Sequence, residues 1–173
     1  KNITSMKGWN NFVVCRDPID RFVSVYLWRL RKDELVQNLT LEQVIERLDT
    51  KNIRQPLDKW GWDRDEQKLD RMFNRQTTWI NERTIYVART EQVNEDLRNL
   101  IIKYNIRGPK YLVQKWAPNR IIHNEHKPYG PQPAETKEML IKVLNENSQL
   151  KQQFFSYYAE DYQKFGYNIP KEI

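Results

Sequence analysis

With a single cysteine, Cys15, this chain of 173 residues has no disulfide framework. At that length none is needed, because one domain of this size buries about 70% of the surface its unfolded chain exposes. A single domain over residues 1–173 is therefore expected. Cys15 lies inside an apolar run and reads as an inert buried thiol, not a nucleophile. No apolar run approaches the roughly 20 residues needed to cross a bilayer. No basic start followed by an apolar core marks a signal peptide, so the chain is expected to be soluble. It begins at Lys1 and not at Met, as a processed or trimmed piece of a longer protein would. Histidine is nearly absent: His123 and His126 are the two in the chain, and no Cys pair or carboxylate cluster accompanies them, so no metal site is expected. What the chain has in excess is positive charge. A net charge of +6 and a pI near 9.3 suit nucleotides, sulfated glycans, nucleic acid or an anionic membrane equally well.

The most informative stretch runs from Phe12 to Tyr26. Phe12 to Cys15 reads as a strand covered on both faces, and Ile19, Phe22, Val23, Tyr26, Leu27 and Leu30 follow helical spacing. Asp17 is the expected N-cap and Pro18 the first helical residue. Arg16 then falls at the carboxyl end of the strand, beside a helix N-terminus whose free N–H groups and dipole favour anions. The alternative is an ordinary strand-to-helix junction with Arg16 paired to Asp17 or Asp20.

Further along, Thr40 and Gln43 form a capping box for a helix with Leu41, Val44, Ile45 and Leu48 on its buried stripe. Residues 50 to 75 read as irregular, with a helix near Glu66 to Phe73. A second strand is expected at Thr84 to Ala88, with Thr90 capping a helix to about Tyr104. The order strand, helix, helix, strand, helix argues for α/β layering with parallel strands. A loop with Pro128 and Gly130 leads to a helix at Ala134 to Leu144, followed by an aromatic helix to Gly166. Its Phe and Tyr residues are expected to pack in the core.

Arg16-Asp17-Pro18, then Arg21-Phe22, Ser24 and Tyr26, resembles the 3′-phosphate-binding segment of sulfotransferases that use 3′-phosphoadenosine 5′-phosphosulfate (PAPS), especially the carbohydrate type. Gln76 to Ile80, followed by Ile85 to Glu91, is similar to the family's middle segment. The aromatic helix ending in Gly166-Tyr167 resembles its C-terminal one. The resemblance covers about residues 10 to 167. It implies an α/β fold with a P-loop-like parallel sheet flanked by helices, and PAPS or adenosine 3′,5′-bisphosphate as the anionic nucleotide, without a metal. Carried over, Arg16 and Ser24 hold the 3′-phosphate, Lys127 and, behind it, Arg120 and Asn124 belong to a loop over the nucleotide, and Glu91 braces the sheet or simply suits a helix dipole. The acceptor it implies is a hydroxyl, first of all on a glycan. The compartment would be the Golgi lumen for a eukaryotic member and the cytoplasm for a bacterial or viral one.

Two family features have no counterpart in the sequence. The Lys- and Gly-containing loop that cradles the 5′-phosphosulfate does not fit in the residues before Phe12, so it is expected upstream in a parent protein, from a second chain, or not at all. Some relatives carry a histidine base shortly before the middle Gln, where this chain has Arg71 to Arg75. His123 and His126 remain as the candidates for that base. A non-catalytic sulfotransferase-fold module, serving interaction or assembly, is thus the second reading. A basic nucleic-acid-binding module with aromatic platforms ranks third.

Overall fold

The computed structural model describes residues 11–57, 61–104 and 132–170. Its elements in order are β1 (Asn11–Cys15), α1 (Pro18–Arg29), α2 (Glu34–Gln37), α3 (Leu41–Glu46), β2 (Pro56–Leu57) and β3 (Gly61–Trp62). After two 3-10 turns, Arg71–Phe73 and Gln76–Trp79, come β4 (Thr84–Arg89), α4 (Val93–Lys103), α5 (Pro133–Glu146) and α6 (Ser148–Phe165). These residues divide into two compact units, one holding 11–16 and 79–104, the other 17–57, 61–78 and 132–170. The combination of helices with a small parallel sheet is that of an α/β protein.

In the first unit β1 pairs with β4 in parallel, with Phe12 beside Tyr86, Val14 beside Ala88 and Cys15 beside Arg89. α4 packs on β4. Cys15 and Ala88 are fully buried, but Phe12 and Val14 are 45% and 43% exposed, so the expectation that both faces of this strand are covered is corrected. An apolar run encodes the preference for a strand, and the number of layers around it is set elsewhere. Thr90 does not cap α4 either. A 3-10 turn at Thr90–Gln92 leads into the helix. The acid that ties the β4 end to α4 is Asp96, which accepts from Arg89 N–H at 2.7 Å and from Gln92 Nε2 at 3.2 Å.

The second unit is helical around one apolar core. Asp17 Oδ1 accepts from the N–H groups of Ile19 and Asp20 at 2.9 and 3.2 Å, and Pro18 opens α1 as expected. The Thr40 capping box is present with both bonds, Gln43 N–H to Thr40 Oγ1 at 3.3 Å and Thr40 N–H to Gln43 Oε1 at 2.9 Å. α5 packs on α1, and α6 on α3 and α5. Phe22 of α1 meets Phe73 at 5.6 Å and Phe154 at 5.3 Å between ring centres, with Tyr158 behind Phe154 at 5.0 Å. These rings are the buried aromatics the helical spacing required. α6 stops at Gly166, whose φ of 67° is open to glycine at no steric cost. In place of the expected helix at Glu66 to Phe73 there is a short 3-10 turn, because Asp63, Asp65 and Asp70 each draw nearby backbone N–H groups into local turns. No described helix is long and apolar enough to cross a membrane.

Candidate functional site

Arg16 closes the first unit's strand and is exposed. Ser24 sits on α1 in the second unit, also exposed, with Phe22, Val23 and Val25 around it buried. Both side chains therefore face solvent and not packed hydrocarbon. Ser24 shares its side of the helix with Asp17 and Asp20, seven and four positions earlier. Asp20 is taken by Lys137 of α5 at 2.6 Å. Arg21 Nη2 donates to the carbonyl of Met72 at 2.6 Å and so fastens α1 to the 3-10 turn at Arg71–Phe73.

The amino end of α1 differs from the expectation in one respect. Pro18 has no N–H, the N–H groups of Ile19 and Asp20 go to the Asp17 carboxylate, and that of Arg21 goes to the Asp17 carbonyl at 2.8 Å. The first turn is self-capped. An anion near it would be recognised by side chains, since the helix offers it no free backbone donor.

Burial raises the Asp17 carboxyl above the ordinary aspartate range, with the Asp20 charge adding to it, against the backbone N–H bonds and Lys137, which lower it. The folded state then binds more protons than the unfolded one between the ordinary aspartate pKa and the raised one. Stability is highest below that window, falls as pH rises through it, and stays lower above. Asp17→Asn keeps the capping oxygen without the charge. Its stability relative to the parent is expected to improve as the pH rises from the ordinary aspartate range through the raised pKa of Asp17. Melting curves of the two proteins across that range check this, and parallel pH profiles would contradict it.

The middle segment is held from α6. Asp161, fully buried, accepts from Gln76 N–H at 2.8 Å through Oδ2 and from Thr77 N–H at 2.9 Å through Oδ1. Just before it, Tyr158 donates to the Phe73 carbonyl at 2.8 Å and Tyr157 to Asn74 Oδ1 at 3.0 Å. Burial pushes both phenols above their ordinary range, so they remain neutral donors. Arg75 pairs with Glu160 at 2.9 Å. The sequence singles out the Gln76 segment and the aromatic helix with its Asp161, but does not reveal that this carboxylate joins the two. The signal available was an aspartate inside an otherwise apolar helical stripe.

Lys127, Arg120, Asn124, His123 and His126 lie outside the described residues. Glu91 falls in the 3-10 turn ahead of α4. Among the described residues no group of three His, Cys, Asp or Glu side chains is placed to hold a metal ion.

A family model described as "Sulfotransferase family" matches residues 2–168. The chain belongs to the sulfotransferase family. The match spans both compact units and takes in Arg16, Ser24, the Gln76 segment and α6. No curated protein and no solved structure matches the chain. Membership points to transfer of a sulfuryl group as the chemistry of this sulfotransferase domain.

Proposed function

We propose that this sulfotransferase domain takes its sulfuryl group from PAPS and passes it to a hydroxyl of a carbohydrate. The observation that carries the reading is the family match across the whole Arg16-Asp17-Pro18 to Tyr26 segment, supported by the exposure of both Arg16 and Ser24. In the reaction the acceptor oxygen bonds to sulfur as the bond from sulfur to the bridging phosphate oxygen breaks. The acceptor proton passes to a base and adenosine 3′,5′-bisphosphate leaves. Positioning, and cations meeting the charge on the bridging oxygen, supply most of the acceleration. Arg16 grips the 3′-phosphate with its planar donor fork, and Ser24 adds a hydroxyl donor. The self-capped first turn of α1 supports recognition through side chains, because its backbone N–H groups are already taken by Asp17. Lys127 adds a cation to the nucleotide's recognition, and His123 or His126 takes the proton.

Adenosine 3′,5′-bisphosphate at about 100 times its Kd is expected to stabilise the protein by about 2.7 kcal/mol, or roughly 5 to 10 °C in Tm. Arg16→Ala is expected to weaken binding by about tenfold to a hundredfold, and Ser24→Ala by about fivefold. Calorimetric titration and thermal shift check this. An unaltered affinity in Arg16→Ala would remove the site from these residues.

One observation favours a second reading, a fold kept for interaction or assembly without catalysis: residues 71 to 75, ahead of the middle Gln, hold no histidine. Absence of any shift with the nucleotide would support it. A nucleic-acid module ranks third: Phe22, Phe73, Phe154, Tyr158 and Tyr162 are buried in the core, while Trp28, Trp79 and Tyr104 are exposed and could still stack on a base.

A further inference from the structure

Where α5 packs on α1, a cation of one helix meets two acids of the other. Lys137 Nζ lies 2.6 Å from Asp20 Oδ1, with the two side chains 42% and 32% exposed. The same ammonium acts on Asp17, whose carboxyl burial raises most and Lys137 helps to lower. The cation therefore faces both acids. Tyr162 of α6, 2% exposed, lies on this side as well. Burial above all, and then the charges of Asp17, Asp20 and Asp161, push its phenol up, so it stays neutral and compensates no charge. Ser24 stands one helical turn beyond Asp20 on the same face and is exposed, with their Cβ atoms about 5 to 6 Å apart at that spacing. A dianion that accepts from the Ser24 hydroxyl thus comes close to Asp20, and Lys137 is the cation that meets this acid from the neighbouring helix.

We propose that Lys137 sets the nucleotide specificity: by neutralising Asp20 it lets the Ser24 side of α1 accept a 3′-phosphate, and so creates the preference for nucleotides that carry one over those that do not. Charge carries the effect. The first turn of α1 has committed its backbone N–H groups to Asp17, so the helix end offers no free donor to offset the carboxylates. At a partly exposed site one elementary charge a few ångströms away changes an equilibrium by about tenfold, and a phosphate near neutral pH carries close to two charges. Without the ammonium, Asp20 repels that phosphate. A nucleotide that lacks the 3′-phosphate places no charge there and is indifferent to the pair. Lys137 acts through Asp20 and not on the reacting atoms, so it is a positioning residue. Its exposure also makes the effect sensitive to salt. The inference deepens the PAPS reading above and rests on it for the placement of the 3′-phosphate at Ser24.

The test compares adenosine 3′,5′-bisphosphate with adenosine 5′-monophosphate by calorimetric titration of the whole chain at low ionic strength. The parent is expected to prefer the bisphosphate by about tenfold or more. Lys137→Ala is expected to weaken the bisphosphate by about tenfold and the monophosphate by less than about twofold. Asp20→Asn should tighten the bisphosphate by about threefold to tenfold. Lys137→Ala combined with Asp20→Asn should bind it as the parent does, because charge and countercharge leave together. Lys137→Arg keeps the cation and should keep the preference. Raising the salt to about 0.5 M should shrink these differences, and Tm should stay close to the parent's, as for other half-exposed pairs. The proposal is overturned if Lys137→Ala leaves the bisphosphate affinity unchanged, weakens both nucleotides alike, or stays weak once Asp20→Asn is added. A preference that Ser24→Ala reduces and Lys137→Ala does not would remove the role of Lys137 alone, whereas a parent without any preference would remove the placement of the 3′-phosphate with it.

Discussion

Asp161→Ala is expected to lower the unfolding free energy by about 3 to 5 kcal/mol, and Tm by about 10 °C for a chain of this length. The residue is fully buried and its two oxygens are each committed to one backbone N–H, at Gln76 and Thr77. Truncation leaves both donors desolvated without an acceptor, at roughly 1 to 3 kcal/mol each, and adds a small cavity. The loss has no cheap repair, since Tyr158 and Tyr157 keep Phe73 and Asn74 against α6 just upstream and hold the stranded N–H groups near the core. Asp161→Asn is expected to fall between, because its amide keeps one acceptor and points a donor at the other N–H. Denaturant unfolding gives the free energies, and hydrogen exchange at Gln76 and Thr77 locates the loss. A cost for Asp161→Ala under about 1 kcal/mol, with those amides still protected, would mean that the carboxylate is not what holds the middle segment. The consequence reaches function, since this is the segment whose Gln the family resemblance singled out.

What could be read from the sequence was what short-range chemistry decides. Asp17 and Pro18 start α1, Thr40 and Gln43 start α3, and Gly166 ends α6. Each of these depends on residues within four positions of the element's end. The parallel pairing of β1 with β4 followed from the intervening helices. The reading failed where the deciding partner lies elsewhere. Asp161 and Gln76 are 85 positions apart, and nothing in the local pattern of either points to the other. Phe12 and Val14 look like interior residues until the neighbouring layers are counted. At the candidate site the residue types were legible, Arg16 and Ser24 among them. The closure of the α1 N-terminus by Asp17 was legible only in part. An N-cap aspartate was expected, and its consequence, that no backbone N–H of the first turn is left for a phosphate, follows once Pro18 and the Arg21 bond are counted with it.

Asp70→Asn should be nearly as damaging as the loss of Asp161, for an electrostatic reason. Asp70 holds the Arg29 guanidinium at 2.7 Å in surroundings where the two side chains are 10% and 16% exposed. It also caps the turn at Arg71–Phe73 by accepting from Met72 N–H at 2.8 Å. Asparagine keeps that cap and removes only the charge, leaving a largely buried cation with a neutral neighbour, a change that typically costs about 3 to 5 kcal/mol. The residual exposure, and the other carboxylates lining the cleft that this pair also lines, place the expected value at the lower end. Arg29→Met strands the carboxylate instead and should cost a similar amount. The double variant Arg29→Met with Asp70→Asn is expected to recover much of the loss, because two desolvated charges disappear together, giving a coupling energy of about 2 kcal/mol. Salt distinguishes this pair from an exposed one. Screening acts over about 3 Å at 1 M ionic strength but reaches buried pairs poorly, so the coupling should survive 1 M sodium chloride, whereas that of Arg75 with Glu160, whose carboxylate is half exposed, should fade. Additive costs in the double variant, or coupling abolished by salt, would show that the pair is solvated and that the cleft has no rigid ionic wall.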